Sequence, residues 1–285
     1  MTLSRCTKDF EIKTDTVAVM KVEGSQTGET IRSDVKRELV LMGWEEDWLL
    51  GWVTDNEAKQ KSAREVGRHN NVGLRTCHTA SCVDHTAHLA VEEALEGRGV
   101  IDVKETMDRV RRLINKMKDS HKLKEEFVAV MIAANEKPLA LIQGTSNRWY
   151  FILMEAMRVL ELREHVEKFQ EDSLNLPADL VLSRSDWHNL SIYVRTVKSM
   201  SDASTLLEGE KYPTASSVIP YLDQVFYDLG DLAGRLTPAD QAFPKALLTQ
   251  LKSPNRFPGG YKSLCPFNCL TLLDPRYMDN GHLLF

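Results

Sequence analysis

The sequence predicts an α+β to mostly α protein: a short α/β unit at the start, then a long region built of helices alone. Three observations lead there. The run at 48–53, WLLGWV, is almost continuously apolar and lies between Glu45-Glu46-Asp47 and Thr54-Asp55-Asn56, the pattern of a short strand covered on both faces. Residues 10–22, FEIKTDTVAVMKV, partly alternate apolar with polar and become β-branched towards their end, which suits one or two strands. Beyond Gly97-Arg98-Gly99 no strand-like run of any length follows, and apolar residues recur at helical spacing instead.

Taken in order, residues 10–22 are followed by a turn at Gly24-Ser25-Gln26-Thr27-Gly28. Thr27 can cap a helix over 29–42, with Ile31, Val35, Leu39 and Leu41 or Met42 on one face. The strand at 48–53 comes next, and a strand, helix, strand succession favours a parallel pair with a right-handed crossover. A helix over 57–66 ends at Gly67, a short strand is expected at 73–78, and Ser81 or Thr79 can cap a helix over 82–95 that carries Cys82, His85 and His88. In the helical region, residues 103–117 place Val103, Met107, Val110, Leu113, Ile114 and Met117 on one stripe. Further helices are expected at 123–135, 150–168, 183–207, 216–230 and 238–251, with Pro138, Pro177, Pro213 and the cluster at 253–260 marking connections. Trp44, Trp48, Trp52 and Trp187 sit in apolar patterns and read as structural.

Composition narrows the class. The chain has 285 residues, 42% of them apolar, enough for a sizeable core. No run reaches the length needed to cross a bilayer and the start, MTLSRCTKDF, lacks the apolar centre of a signal peptide, so a soluble protein without membrane contact is expected. Five cysteines, at 6, 77, 82, 265 and 269, do not form a secreted disulfide framework and point to reduced thiols in cytosol or nucleus. The net charge of −5 argues against a broad nonspecific grip on nucleic acid, because such binding rests on Lys and Arg against phosphate.

Two stretches carry chemistry-bearing residues. Asp55 follows the apolar strand, and in open α/β sheets the carboxyl ends of strands are where polar side chains stand in the crevice; an Asp there equally caps the next helix. Cys82-Val83-Asp84-His85, with Cys77 before it and His88 after it, has residue types that can bind zinc. The spacing misses the finger pattern of a Cys pair and a His pair about twelve residues apart, so no structural zinc is expected.

VTDNEAK followed by SCVDHTAHLAVEEAL resembles a signature of hAT-family transposases and of the zinc-finger BED domain-containing proteins descended from them. Further blocks of that family have counterparts in the same order: VEGSQTGETI at 22–31, SNRWYFILMEAMRVLELR at 146–163, KYPTASSVIPYL at 211–222 and LLDPRYM at 272–278. The resemblance implies a ribonuclease-H-like α/β unit interrupted by a helical insertion domain. It divides the chain into 1–100, a partial ribonuclease-H-like domain whose opening strand falls before Met1, and 101–285, a helical insertion domain cut before the C-terminal dimerisation region. On this arrangement 10–22 and 48–53 lie in one small sheet whose missing opening strand would sit between them, so the sheet is expected to be gapped or rearranged.

The family performs two-metal phosphoryl transfer with Mg²⁺ held by three acids. Asp55 corresponds to the second; the first would precede Met1, Asp9 and Asp15 lack the family's neighbours, and the third lies beyond Phe285. One carboxylate cannot hold two hard cations. The expectation is therefore a nuclear, transposase-derived protein without complete catalytic machinery and without a bound cofactor, serving as a DNA- or protein-interaction module; the alternative is a fragment of an active DNA transposase. By the same resemblance His85 points at the catalytic crevice and Cys82 packs under its helix, while the family has Asn where this chain has His88. The resemblance also implies that Arg148 and Trp149 are DNA contacts, the indole stacking on a base; the apolar Phe151, Ile152, Met154 and Met157 around Trp149 equally suit a core residue. Asp274 caps a turn and Arg276 pairs beside it. Partners would be DNA, other proteins, or a second copy through regions outside this chain.

Overall fold

The computed structural model describes residues 2–6, 12–16, 19, 27–44, 51–55, 57–60, 62–63, 78–144, 149–207, 214–254, 256, 271, 274 and 277. Arg148, Arg276, most of the strand expected at 73–78, and the stretch 48–50 lie outside them. Among the described residues the chain is mostly helical with little sheet. No helix there is long and apolar enough to cross a membrane. Two compact units are formed, both discontinuous in sequence: one of Met1–Ala87, Asp202–Val225 and Leu251–Phe285, the other of His88–Ser201 and Phe226–Gln250.

The first unit holds the strands. β1 (Thr2–Cys6) and β2 (Ile12–Thr16) pair antiparallel from Thr2 opposite Thr16 to Cys6 opposite Ile12. β3 (Gly51–Thr54) and β4 (His78–Ser81) pair parallel, Gly51 opposite His78 and Thr54 opposite Ser81. The sheet expected to hold both 10–22 and 48–53, gapped or rearranged for want of the strand between them, is not formed as one sheet among the described residues: β2 and β3 belong to separate two-stranded sheets. The reason lies in the pairing of backbone groups, which buried or half-buried strands must satisfy. β2 finds its partner in the neighbouring β1, and β3 finds its partner in β4 across a connection long enough for a parallel crossover. That connection includes helical residues at 58–60 and 62–63.

α1 (Gly28–Leu41) starts as its sequence requires. Thr27 Oγ1 accepts the Thr30 N–H at 3.2 Å while the Thr27 N–H donates to Thr30 Oγ1 at 2.8 Å, a reciprocal cap that satisfies two otherwise orphaned donors. Gly28 is buried, and a Cβ there would collide with Ser62 Oγ and lie 2.6 Å from the Ala63 nitrogen. The helix therefore meets the 58–63 segment backbone against backbone. α2 (Val83–Leu95) follows β4 directly, the Cys82 carbonyl accepting from the Thr86 N–H at 3.0 Å and from its hydroxyl at 2.8 Å.

The second unit is an assembly of helices: the part of α2 from His88, then α3 (Ile101–Asp119), α4 (His121–Ala133), α5 (Trp149–Glu161), α6 (Arg163–Asp172), α7 (Arg184–Leu207) up to Ser201, α8 (Val218–Arg235) from Phe226, and α9 (Ala242–Leu251) up to Gln250. All six apolar residues expected on the α3 stripe are buried. Phe127 meets Phe169 edge to face with centroids 5.6 Å apart, and Tyr193 stacks on Phe243 at 5.7 Å. Ser183 and Asp186 cap α7 reciprocally, the carboxylate accepting the Ser183 N–H at 2.8 Å and the hydroxyl accepting the Asp186 N–H at 3.2 Å. Asp186 is buried and also takes Thr106 and, through both oxygens, Arg109 at 2.5 and 2.6 Å. Burial alone would push its carboxyl up; the Ser183 bonds, Thr106 and the Arg109 charge outweigh that and hold it below the ordinary carboxylate value. The single helix expected at 150–168 is two, broken at Leu162, whose φ of −96° and ψ of 20° leave the helical well.

Candidate functional site

In the first unit, parallel pairing brings the two singled-out stretches together. Thr54 and Ser81 end adjacent strands side by side, and the Cys82 N–H extends the ladder by donating to the Thr54 carbonyl at 2.6 Å. Asp55 and Cys82 therefore leave the sheet next to one another at its carboxyl end. Asp55 is exposed; its Oδ1 accepts the Glu57 N–H at 3.1 Å, and its carbonyl accepts the Thr54 hydroxyl at 3.0 Å. The residue thus caps the segment that follows, as an Asp before a helix does. Cys82 is a half-buried free thiol, and His85 is half-buried in the first turn of α2. Asp84, between them, faces the core, where its Oδ1 accepts the Ser204 hydroxyl at 2.9 Å. Tyr221 is buried, and burial, with the Asp84 charge second, pushes its hydroxyl well above the ordinary phenol value.

The family resemblance implies that Asp55 belongs to a two-cation centre. One oxygen of Asp55 serves the backbone, and among the described residues no group of three or more His, Cys, Asp and Glu is placed to hold a metal. Hard cations require several oxygen ligands at one point.

The same unit joins two blocks that the sequence showed far apart. Asp274 is buried and its Oδ2 accepts the Ser216 hydroxyl at 2.6 Å, within the 3₁₀ turn Ala215–Ser217 that leads into α8. Thr271 donates its hydroxyl to the Ser216 carbonyl at 2.7 Å, and the Tyr277 hydroxyl lies 3.0 Å from Ser217 Oγ. Asp274 is thus a clamp on the start of α8. Ser216, Thr271 and Tyr277 were not anticipated; the clue was a run of small polar residues, PTASS, opening an apolar helix.

In the second unit Trp149 is 1% exposed. Its ring takes the core position that the apolar residues around it allow: the residue opens α5 on that helix's buried face, with Leu153 and Ala156. Tyr150 meets it edge to face at 6.1 Å. The Trp149 N–H donates to His88 Nδ1 at 3.3 Å, and His88 Nε2 lies 3.5 Å from Glu92 Oε1. On α3 a shallow basin is lined by Arg109, Arg111 and Arg112 together with Glu105 and Asp108. Each guanidinium already faces a carboxylate: Arg109 that of Asp186, Arg111 that of Glu155 at 3.5 Å, Arg112 that of Asp179 at 2.8 Å. Cations so neutralised offer little to a phosphate backbone.

The arrangement is that of a helical protein with a short parallel strand pair whose carboxyl end carries an acid, a thiol and an imidazole-bearing helix. Residues 80–196, from β4 into α7, match the family model of the ZBED1 RNase-like helical domain. That match supports a protein of ZBED or hAT derivation. No curated protein matches the chain.

Proposed function

We propose that this chain is a transposase-derived nuclear protein that acts as a DNA- or protein-interaction module and does not itself break or join DNA. The observation that carries this reading is the match of residues 80–196 to the helical domain. The parallel pair β3 and β4 supports it: Asp55 and the Cys82 to His85 stretch meet at a strand end, where a ribonuclease-H-like sheet would keep its chemistry. Two-metal transfer needs cations fixed by several carboxylates at one point, and among the described residues no group of three or more His, Cys, Asp and Glu is gathered around Asp55. Its orientation toward the Glu57 amide suits a cap better than a ligand.

The test is cleavage of end-labelled duplexes carrying terminal inverted repeats in Mn²⁺, with wild type beside Asp55→Asn. Neither should cut. The second reading, a fragment of an active transposase, is favoured by the exposure of Asp55 at that strand end. It predicts that cutting appears when flanking sequence from the same gene is added, and that Asp55→Asn then abolishes it.

A further inference from the structure

We propose that the corner between α3 and α4 is a contact surface for the DNA backbone, with Lys116, Lys118, Lys122 and Lys124 as its cations. The inference names a surface for the DNA-binding half of the proposed function and rests on that reading. Ser120 alone separates the two helices and ends both. Its N–H donates to the Lys116 carbonyl at 3.1 Å, closing α3, and its Oγ accepts the Leu123 N–H at 3.3 Å, opening α4. Such caps hold the two helix ends in fixed register. Two lysines precede Ser120 and two follow it, all within about one helical turn of it.

All four lysines are exposed. Arg109, Arg111 and Arg112 each face a carboxylate, whereas none of these lysines forms an ion pair among the described residues. Within 116–124 they stand against Asp119 alone, a local charge of +3 with His121 neutral, in a chain of net charge −5. The acids that follow are engaged: Glu125 lies 3.4 Å from His121 Nδ1, and Glu126 accepts from Ser173 and Asn175. Helix stability accounts for half of the arrangement. Lys116 and Lys118 suit the negative end of α3, but Lys122 and Lys124 stand in the first turn of α4, where no acid is present and a cation is unfavourable. A partner that brings negative charge reverses that cost. Residues two apart lie on opposite flanks of a helix, so the charge spreads over both sides of the corner. It therefore suits an extended polyanion, whose charges recur along its length, rather than a single carboxylate. Lysines meet phosphates as point charges and read no bases, so the contact is independent of sequence.

Fluorescence anisotropy on the full chain tests this, with a labelled DNA duplex and an RNA duplex of matching sequence, between about 50 and 200 mM salt. One variant changes Lys116, Lys118, Lys122 and Lys124 to Gln; a control changes the exposed Lys59, Lys137, Lys168 and Lys198 to Gln and so removes the same charge elsewhere. The corner variant should bind DNA roughly ten-fold or more weakly at the lowest salt, with a log–log salt slope shallower by about 3, since each lost phosphate contact removes about 0.9. The control should stay close to wild type. Changing Lys116 with Lys118, or Lys122 with Lys124, should give intermediate losses, which keeps the test decisive if the fourfold variant melts early. Equal weakening by the control, an unchanged corner variant, or weakening confined to RNA overturns the inference and leaves the proposed function standing. A wild type that binds neither duplex at the lowest salt overturns both the inference and the DNA half of that function.

Discussion

Trp149 and Asp274 show what single residues contribute. The Trp149 indole is almost wholly buried and its neighbours on that face of α5 are apolar, so Trp149→Ala should cost about 3–5 kcal/mol from lost burial and the cavity left behind. A chemical denaturation curve reads this directly; a change below about 1 kcal/mol would mean that the ring is more exposed than its position indicates. Asp274 accepts from Ser216 inside the core of its unit. Ser216→Ala removes this buried hydrogen bond to a carboxylate and should lower stability by about 1–3 kcal/mol. Neither residue signals its role by type alone: a Trp beside Arg148 could face a base or the core, and an Asp in LDPRY could bind, cap or clamp. What decides is the three-dimensional neighbour, and for Asp274 that neighbour is 58 positions away in sequence.

At the scale of elements, close approach and capping set the stability of α1 and α7. Gly28→Ala would drive a methyl into the Ser62 and Ala63 backbone, an overpacking cost of about 1–3 kcal/mol, although alanine is ordinarily the better helix former. A thermal melt that rises for Gly28→Ala would contradict the packing of α1 on the 58–63 segment. Asp186 at the start of α7 has a carboxyl held below its ordinary value. A depressed carboxylate adds stability above its unfolded pKa of about 3.9 and loses it as the pH falls through the lower, folded value. Asp186→Asn should therefore destabilise at neutral pH and flatten the loss of stability below about pH 4; an unaltered acid-unfolding profile would count against the Arg109, Thr106 and Ser183 network. The α3 stripe was legible in the sequence because one amphipathic period runs unbroken through it, and Thr27 announced α1 as a cap. The break at Leu162 was not legible, since no Gly or Pro marks it and Leu162 is itself buried. β1 was not either: TLSRC has weak alternation and becomes a strand through pairing with β2, a tertiary fact that local pattern does not encode.

For the whole molecule, the strand ends tie an acid, a thiol and a helix together, yet among the described residues the donor set at Asp55 is one carboxylate with an oxygen already bonded. Millimolar Mn²⁺ should consequently leave the thermal midpoint unchanged, because a ligand stabilises only what it binds. A rise of several degrees that vanishes in Asp55→Ala would place a cation site there. Of the candidate site, the place of Asp55 at the end of an apolar strand was legible in the sequence, whereas its meeting with Cys82 through the β3–β4 pair, the capping use of Asp55 and the burial of Trp149 depend on pairings and atoms the pattern cannot orient. The central proposal is that this chain is transposase-derived and does not carry out transposase chemistry. End cleavage of labelled inverted-repeat DNA in Mn²⁺ tests it most directly: no product from either wild type or Asp55→Asn is the expected result, and product from wild type that disappears in Asp55→Asn would contradict it.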